Sequence, residues 1–205
     1  MKQEIDPKDT NRAIAFELWT KSSMPMVTIT KTFDVTRLRK VSRRRGMKFN
    51  MLLCWCIGRA ASRIEEFYML PQNDKLYRYD RMAVNVIVNN IKGGLSFCDV
   101  AVCDDLETFN DNYLRLTETI RQTCRDILDE EAVIVGTSAV TGTELDCIVN
   151  QYNGIFNNPF LSWARYRKGW FRTTLPISFQ FHHAQMDGCQ AARFLEELQK
   201  IINQL

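Results

Sequence analysis

Between Thr108 and Ile127 the apolar side chains fall at Phe109, Tyr113, Leu116, Ile120, Cys124 and Ile127, at spacings of four, three, four, four and three. That is the period of a single helical face, and it predicts an amphipathic helix over 108–127. Met82 to Asn90 and Leu95 to Val102 read as strands joined through Lys92-Gly93-Gly94, and Ala132 to Val140 is an apolar, β-branched run suited to a buried strand.

The rest of the chain follows the same logic. Arg12 to Trp19 fits one or two helical turns. Met26 to Phe33 alternates, with Val27 and Ile29 against Thr28 and Thr30. Asp34 to Arg45 reads as a helix with an acidic cap and the stop Arg43-Arg44-Arg45-Gly46. Phe49 to Phe67 is a strongly apolar helix, and Leu76 to Tyr79, Phe160 to Arg167 and Thr173 to His183 read as strands. From Gly188 to Leu205 a closing helix carries Ala192, Leu195, Leu198, Ile202 and Leu205 on one stripe. Strands and helices interleave without regular βαβ units, which predicts an α+β fold with a mixed sheet. No repeat, low-complexity tract or Pro/Gly-rich linker divides the 205 residues, so 1–205 is expected to form one domain.

Charge and cysteine usage remove several function classes. Lys plus Arg is 27 against 24 for Asp plus Glu, a surplus too small to mark a nucleic-acid protein. No apolar run reaches 18 residues, which excludes a spanning helix, and Met1-Lys2-Gln3-Glu4-Ile5-Asp6 lacks a signal-peptide core; a cytoplasmic address with no membrane partner is expected. The seven cysteines form an odd, irregularly spaced set, expected to be free and mostly buried. No metal site is expected.

Both histidines of the chain stand together in Phe181-His182-His183-Ala184-Gln185-Met186-Asp187-Gly188, at the end of an apolar strand and before a helix. Alternation places Ile177, Phe179, Phe181 and His183 on one face and Ser178, Gln180 and His182 on the other, so the two imidazoles point apart. One imidazole can serve as a general base, because it titrates near neutral pH. Pattern alone leaves three readings open: a catalytic base, a structural pair or a weak metal handle.

His182-His183-Ala184-x-x-Asp187-Gly188, with Ala192-Arg193-Phe194 in the helix beyond, resembles the active-site segment of the chloramphenicol acetyltransferases. The dihydrolipoyl acyltransferases share a looser version, with Asp-His-Arg where this chain has His182-His183-Ala184. Arg12-x-x-x-Phe16-Glu17, Asp34-Val35-Thr36, Lys48-Phe49, Ser138-Ala139, Tyr166 and Pro176 also resemble family segments, and Ser162 falls where the family commonly has threonine, so the resemblance runs over most of the chain. It implies a two-layer α+β sandwich, a mixed sheet covered by helices, assembled as a homotrimer with active sites between subunits. It further implies direct acetyl transfer from acetyl-CoA to a small-molecule hydroxyl. In that mechanism His183 is the base and Ser138 the oxyanion donor. Asp187, Arg12 and Ser162 are supporting residues, and Tyr166 and Arg165 either contact coenzyme A or face water. His182 is implied only as a structural neighbour.

The departures from the family fall in the acceptor pocket. Trp19 stands where the family carries an aromatic hydroxyl, and with Met24 and Met26 it is expected to form apolar wall; an indole donates a hydrogen bond but cannot accept one. After Ser138-Ala139 the family's Leu-Pro-Trp becomes Val140-Thr141-Gly142. The expected activity is therefore O-acetylation of chloramphenicol or a similar hydroxyl compound. The rivals are the same fold with another hydroxyl or thiol acceptor, a catalytically silent trimer binding a hydrophobic ligand, and a metal module built on the His pair.

Overall fold

The computed structural model describes residues 1–205. A mixed sheet is built from β2 (Met26–Asp34), β5 (Met82–Asn89), β6 (Leu95–Ala101), β7 (Val133–Val140), β8 (Phe160–Ala164), β9 (Arg167–Lys168) and β10 (Thr173–His182). Its order is β2-β10-β8-β7-β5-β6, with β9 paired to β10. The β5–β7 and β7–β8 pairs are parallel and the others antiparallel. The helices α2 (Thr36–Arg45), α3 (Phe49–Ala61), α4 (Leu106–Thr123) and α5 (Gly188–Gln204) pack with this sheet to enclose the core; α1 (Ala13–Trp19) has no buried residue. This is the expected two-layer α+β arrangement. The remaining strands, β1 (Lys2–Ile5), β3 (Met69–Gln72) and β4 (Lys75–Tyr79), make a second antiparallel sheet in the order β1-β4-β3, of which the sequence reading found only β4.

The layers meet through apolar faces that alternate as a strand requires. On β10, Ile177, Phe179 and Phe181 enter the core, where Phe179 lies 5.1 Å from Phe181, 4.7 Å from Phe194 of α5 and 5.8 Å from Phe67. Such ring pairs add about 0.5–1.5 kcal/mol each beyond their buried area. At the β7–β8 crossing Gly136 sits opposite Phe160, and a Cβ there would lie 2.3 Å from the phenyl ring. The opposite face of the sheet is polar and is crossed by the segment after β7. Ile148 N–H donates to Ser178 Oγ at 2.9 Å, and Gln180 Nε2 donates to the Asn150 carbonyl at 3.0 Å.

Several boundaries differ from expectation, each for a tertiary reason. The helix expected over 49–67 stops at Ala61, because the chain turns through Ile64 to drive Phe67 against Phe179 and Phe194. The 108–127 helix ends at Thr123: Cys124 is left-handed (φ 56°), and Ile127 joins Cys98 in a β-bridge, its N–H donating to Phe97 O at 3.0 Å. The strand expected over 160–167 breaks after Ala164, as the Arg165 N–H bonds to Thr143 O instead, at 2.8 Å. The last strand stops at His182, one residue early, so strand alternation does not orient His183. The cysteines are free, but only Cys54, Cys56 and Cys98 are buried; Cys103 and Cys124 are half-buried, and Cys147 and Cys189 are exposed. Cysteines outside the helix–sheet contact have no core to enter.

Candidate active site

His183 sits in the turn between β10 and α5, and its own main-chain N–H and carbonyl are both tied. Its N–H donates to Pro25 O at 2.8 Å. Arg12, ahead of α1, reaches the turn from the other side. Arg12 NH2 donates to His183 O at 2.8 Å and Nε to Ala184 O at 3.2 Å. The same guanidinium meets Asp187 in a fork, NH1 to Oδ2 at 2.6 Å and NH2 to Oδ1 at 3.0 Å. Arg12 is 2% exposed, whereas the Asp187 side chain is 45% exposed. Hydrogen bonding from Arg12 holds the Asp187 carboxyl below its ordinary range. Asp187 also caps α5, accepting the Gln190 N–H while the Gln190 side chain returns to the Asp187 N–H at 3.0 Å.

The His183 ring is 29% exposed. Its Nδ1 is buried 3.1 Å from Asp187 Oδ1, close enough for charge attraction but off the line of a hydrogen bond. Trp19, the last residue of α1, lies against one face of the imidazole with ring centroids 4.6 Å apart and planes 4° from parallel. The indole thus backs His183 directly. Met24 is exposed, and Met26 pairs with His182 at the start of β2. Trp19, Met24, Met26, His183, Asp187 and Arg12 accordingly gather at one end of the sheet.

Ser138 and Ser162 belong elsewhere. They pair with each other across β7 and β8, and Ser162 pairs with Ser178 of β10. Ser162 Oγ donates to Asn150 Oδ1 at 3.1 Å, a contact that no sequence signal announced, because Asn150 lies in an irregular segment. His183 is five residues beyond Ser178 and two strands from Ser138. Spacings of about 3.3 Å per residue and about 4.8 Å per strand put the two roughly 19 Å apart. Tyr166 and Arg165 follow β8 toward the opposite end from His183. Tyr166 packs 5.0 Å from Phe49 with Arg39 over its ring at 5.9 Å, and Arg165 is exposed. Within one chain, then, the candidate residues form two groups, one around His183 at one end of the sheet and the other running from the middle of β7 and β8 toward the opposite end. No group of three or more His, Cys, Asp or Glu side chains is placed to hold a metal, and no helix is long and apolar enough to cross a membrane.

Comparison with solved structures defines the class first. A structure titled chloramphenicol acetyltransferase aligns with 98% of this chain and 100% of its own at a TM-score of 0.84 and 20% identity. The catalytic core of a 2-oxoacid dehydrogenase multienzyme complex from Thermoplasma acidophilum aligns over 98% of both chains at 0.65 and 17% identity. These likenesses establish the fold. The family model for chloramphenicol acetyltransferase matches residues 2–199, and the chain belongs to that family of acyltransferases. Among curated relatives, chloramphenicol acetyltransferase 3 of Escherichia coli is 26% identical over 98% of this chain and 96% of its own length. A chloramphenicol acetyltransferase of Clostridium perfringens is 28% identical, with 96% and 93% covered.

Proposed function

We propose that the protein is an acetyl-CoA-dependent O-acetyltransferase acting on chloramphenicol or a similar small hydroxyl compound, with His183 as general base. With Nδ1 shut away beside Asp187, Nε2 is the nitrogen left for an incoming hydroxyl. The base takes the hydroxyl proton as the oxygen attacks the thioester carbon. Ser138 donates to the resulting oxyanion, a contribution of about 3 kcal/mol when such a donor is preorganised. Collapse breaks the C–S bond, and the imidazolium returns the proton to the leaving thiolate, giving the acetyl ester and free coenzyme A. Ser162, held by Asn150, supports the Ser138 side, where Tyr166 and Arg165 contact coenzyme A; Trp19, Met24 and Met26 wall the acceptor. Family membership and the Arg12–Asp187 clamp around His183 are what support the reading.

The separation of about 19 Å between Ser138 and His183 supports one further feature. A hydroxyl attacking a thioester must meet both groups within a few ångströms, so the base of one protomer serves with the Ser138 of another. A homotrimer with sites between protomers meets that need, and a single domain over 1–205 and a cytoplasmic location complete the proposal. The decisive observation is His183, clamped on its main chain yet open on its ring. The test is thiol release from acetyl-CoA with chloramphenicol as acceptor. His183→Ala is expected to lower kcat by about 10²–10⁴-fold with coenzyme A binding retained; undiminished kcat would overturn the assignment.

A further inference from the structure

We propose that His182 is a positioning residue for His183: a neutral imidazole, protonated on Nε2, whose Nδ1 accepts the Ala184 N–H and so fixes the turn that presents the neighbouring ring. The proposal rests on reading His183 as the base.

Three consecutive amides converge on this residue. Ala184 N–H donates to His182 Nδ1 at 3.1 Å, Gln185 N–H to His182 O at 2.9 Å, and Met186 N–H to the same oxygen at 3.3 Å. Arg12 holds the carbonyls of residues 183 and 184, and Pro25 holds the N–H of His183. The Ala184 N–H is the remaining main-chain group, and the His182 ring supplies its acceptor. His182 also ends β10, in register with Met26 of β2, so the turn hangs from a residue fixed in the sheet.

That geometry dictates a tautomer. A ring nitrogen that accepts a hydrogen bond carries no proton, so the proton of the neutral ring sits on Nε2. His182 is 1% exposed, and burial, with the neighbouring His183, lowers its pKa to about 4, which keeps the ring neutral at pH 7. An apolar side chain could fill this site, but it would leave the buried Ala184 N–H without a partner. The free turn could then rotate, and a base displaced by an ångström loses about two orders of magnitude in rate.

Replacements separate acceptor from bulk. Asn places its Oδ1 close to where His carries Nδ1, whereas Leu fills the space without an acceptor. His182→Leu is expected to lower kcat by about 10–100-fold while KM for acetyl-CoA stays within about twofold, and His182→Asn to recover most of the loss. A second readout needs no activity. In the wild-type protein, ¹⁵N spectra at pH 7 should show an unprotonated Nδ1 and a protonated Nε2 for His182. The His183 ring protons should be shifted upfield by the stacked Trp19; His182→Asn keeps that shift and His182→Leu loses it. Equal losses in the two variants, full kcat in His182→Leu, or a proton on Nδ1 of His182 would each overturn the proposal. Absence of acetyl transfer in the wild-type protein would instead refute the base assignment, leaving the tautomer and the ring shift to decide the role of His182.

Discussion

Arg12→Met tests the clamp around His183, and the structure sets the size of the effect. The change removes four hydrogen bonds, two to Asp187 and two to the carbonyls of His183 and Ala184. The Asp187 side chain is 45% exposed and can rehydrate, so the ion pair itself contributes only about 0–1 kcal/mol. The carbonyls are the larger loss, at about 1–3 kcal/mol for each buried group left without a donor. A destabilisation of about 3 kcal/mol follows, or roughly 6–12 °C in Tm for a chain of this length. Asp187→Asn leaves both carbonyls bonded and should cost less, about 1–2 kcal/mol, since the buried guanidinium keeps three of its partners. The double variant should fall short of the sum by about 1 kcal/mol. Thermal melts at one fixed protomer concentration measure all three, because association shifts Tm. A change below 2 °C in Arg12→Met would show that the guanidinium does not hold the turn, and strict additivity would show that it is not coupled to Asp187.

Three further outcomes follow from individual contacts. Gly136→Ala puts a methyl into the Phe160 ring and should cost about 1–3 kcal/mol in chemical denaturation, an effect that disappears in a Phe160→Ala background. Trp19→Ala removes the stack on His183 and should lower kcat more than it raises KM for the acceptor in steady-state assays, with Trp19→Phe intermediate; a change in KM alone would make Trp19 simple pocket wall. His182 introduces an acid sensitivity. Its folded pKa of about 4 lies below the ordinary 6.5, so the unfolded chain binds the proton first, and stability falls as pH drops from 6.5 toward 4, by at most about 3 kcal/mol. Denaturation midpoints across that range should flatten in His182→Asn.

Much of the fold was legible because local period and burial agree. The α4 stripe through Phe109, Tyr113 and Ile120 faces the core as its spacing requires, and the alternation of β10 survives as far as His182. Local pattern misleads where a distant contact overrules local preference. The apolar run after Ala61 continues a helical pattern, yet Phe67 gains more by joining Phe179 and Phe194 than by extending the helix. The strands β1 and β3 carry no clear local signal, because each is four residues long and finds its partner only in β4. Asn150 carries no signal at all, being set beside Ser162 by the path of an irregular segment.

Hydrophobic period dictates which side of each element must be hidden, and proximity in the chain groups His182, His183 and Asp187. How those residues are used depends on long-range packing. It carried Arg12 across 175 positions to Asp187, laid Trp19 on His183, and gave His182 rather than an apolar residue the Ala184 N–H. It also set Ser138 two strands and five residues of register away from His183, a separation fixed by strand order. Strand order depends on which pairings bury the whole core at once, and no local stretch of sequence contains that information.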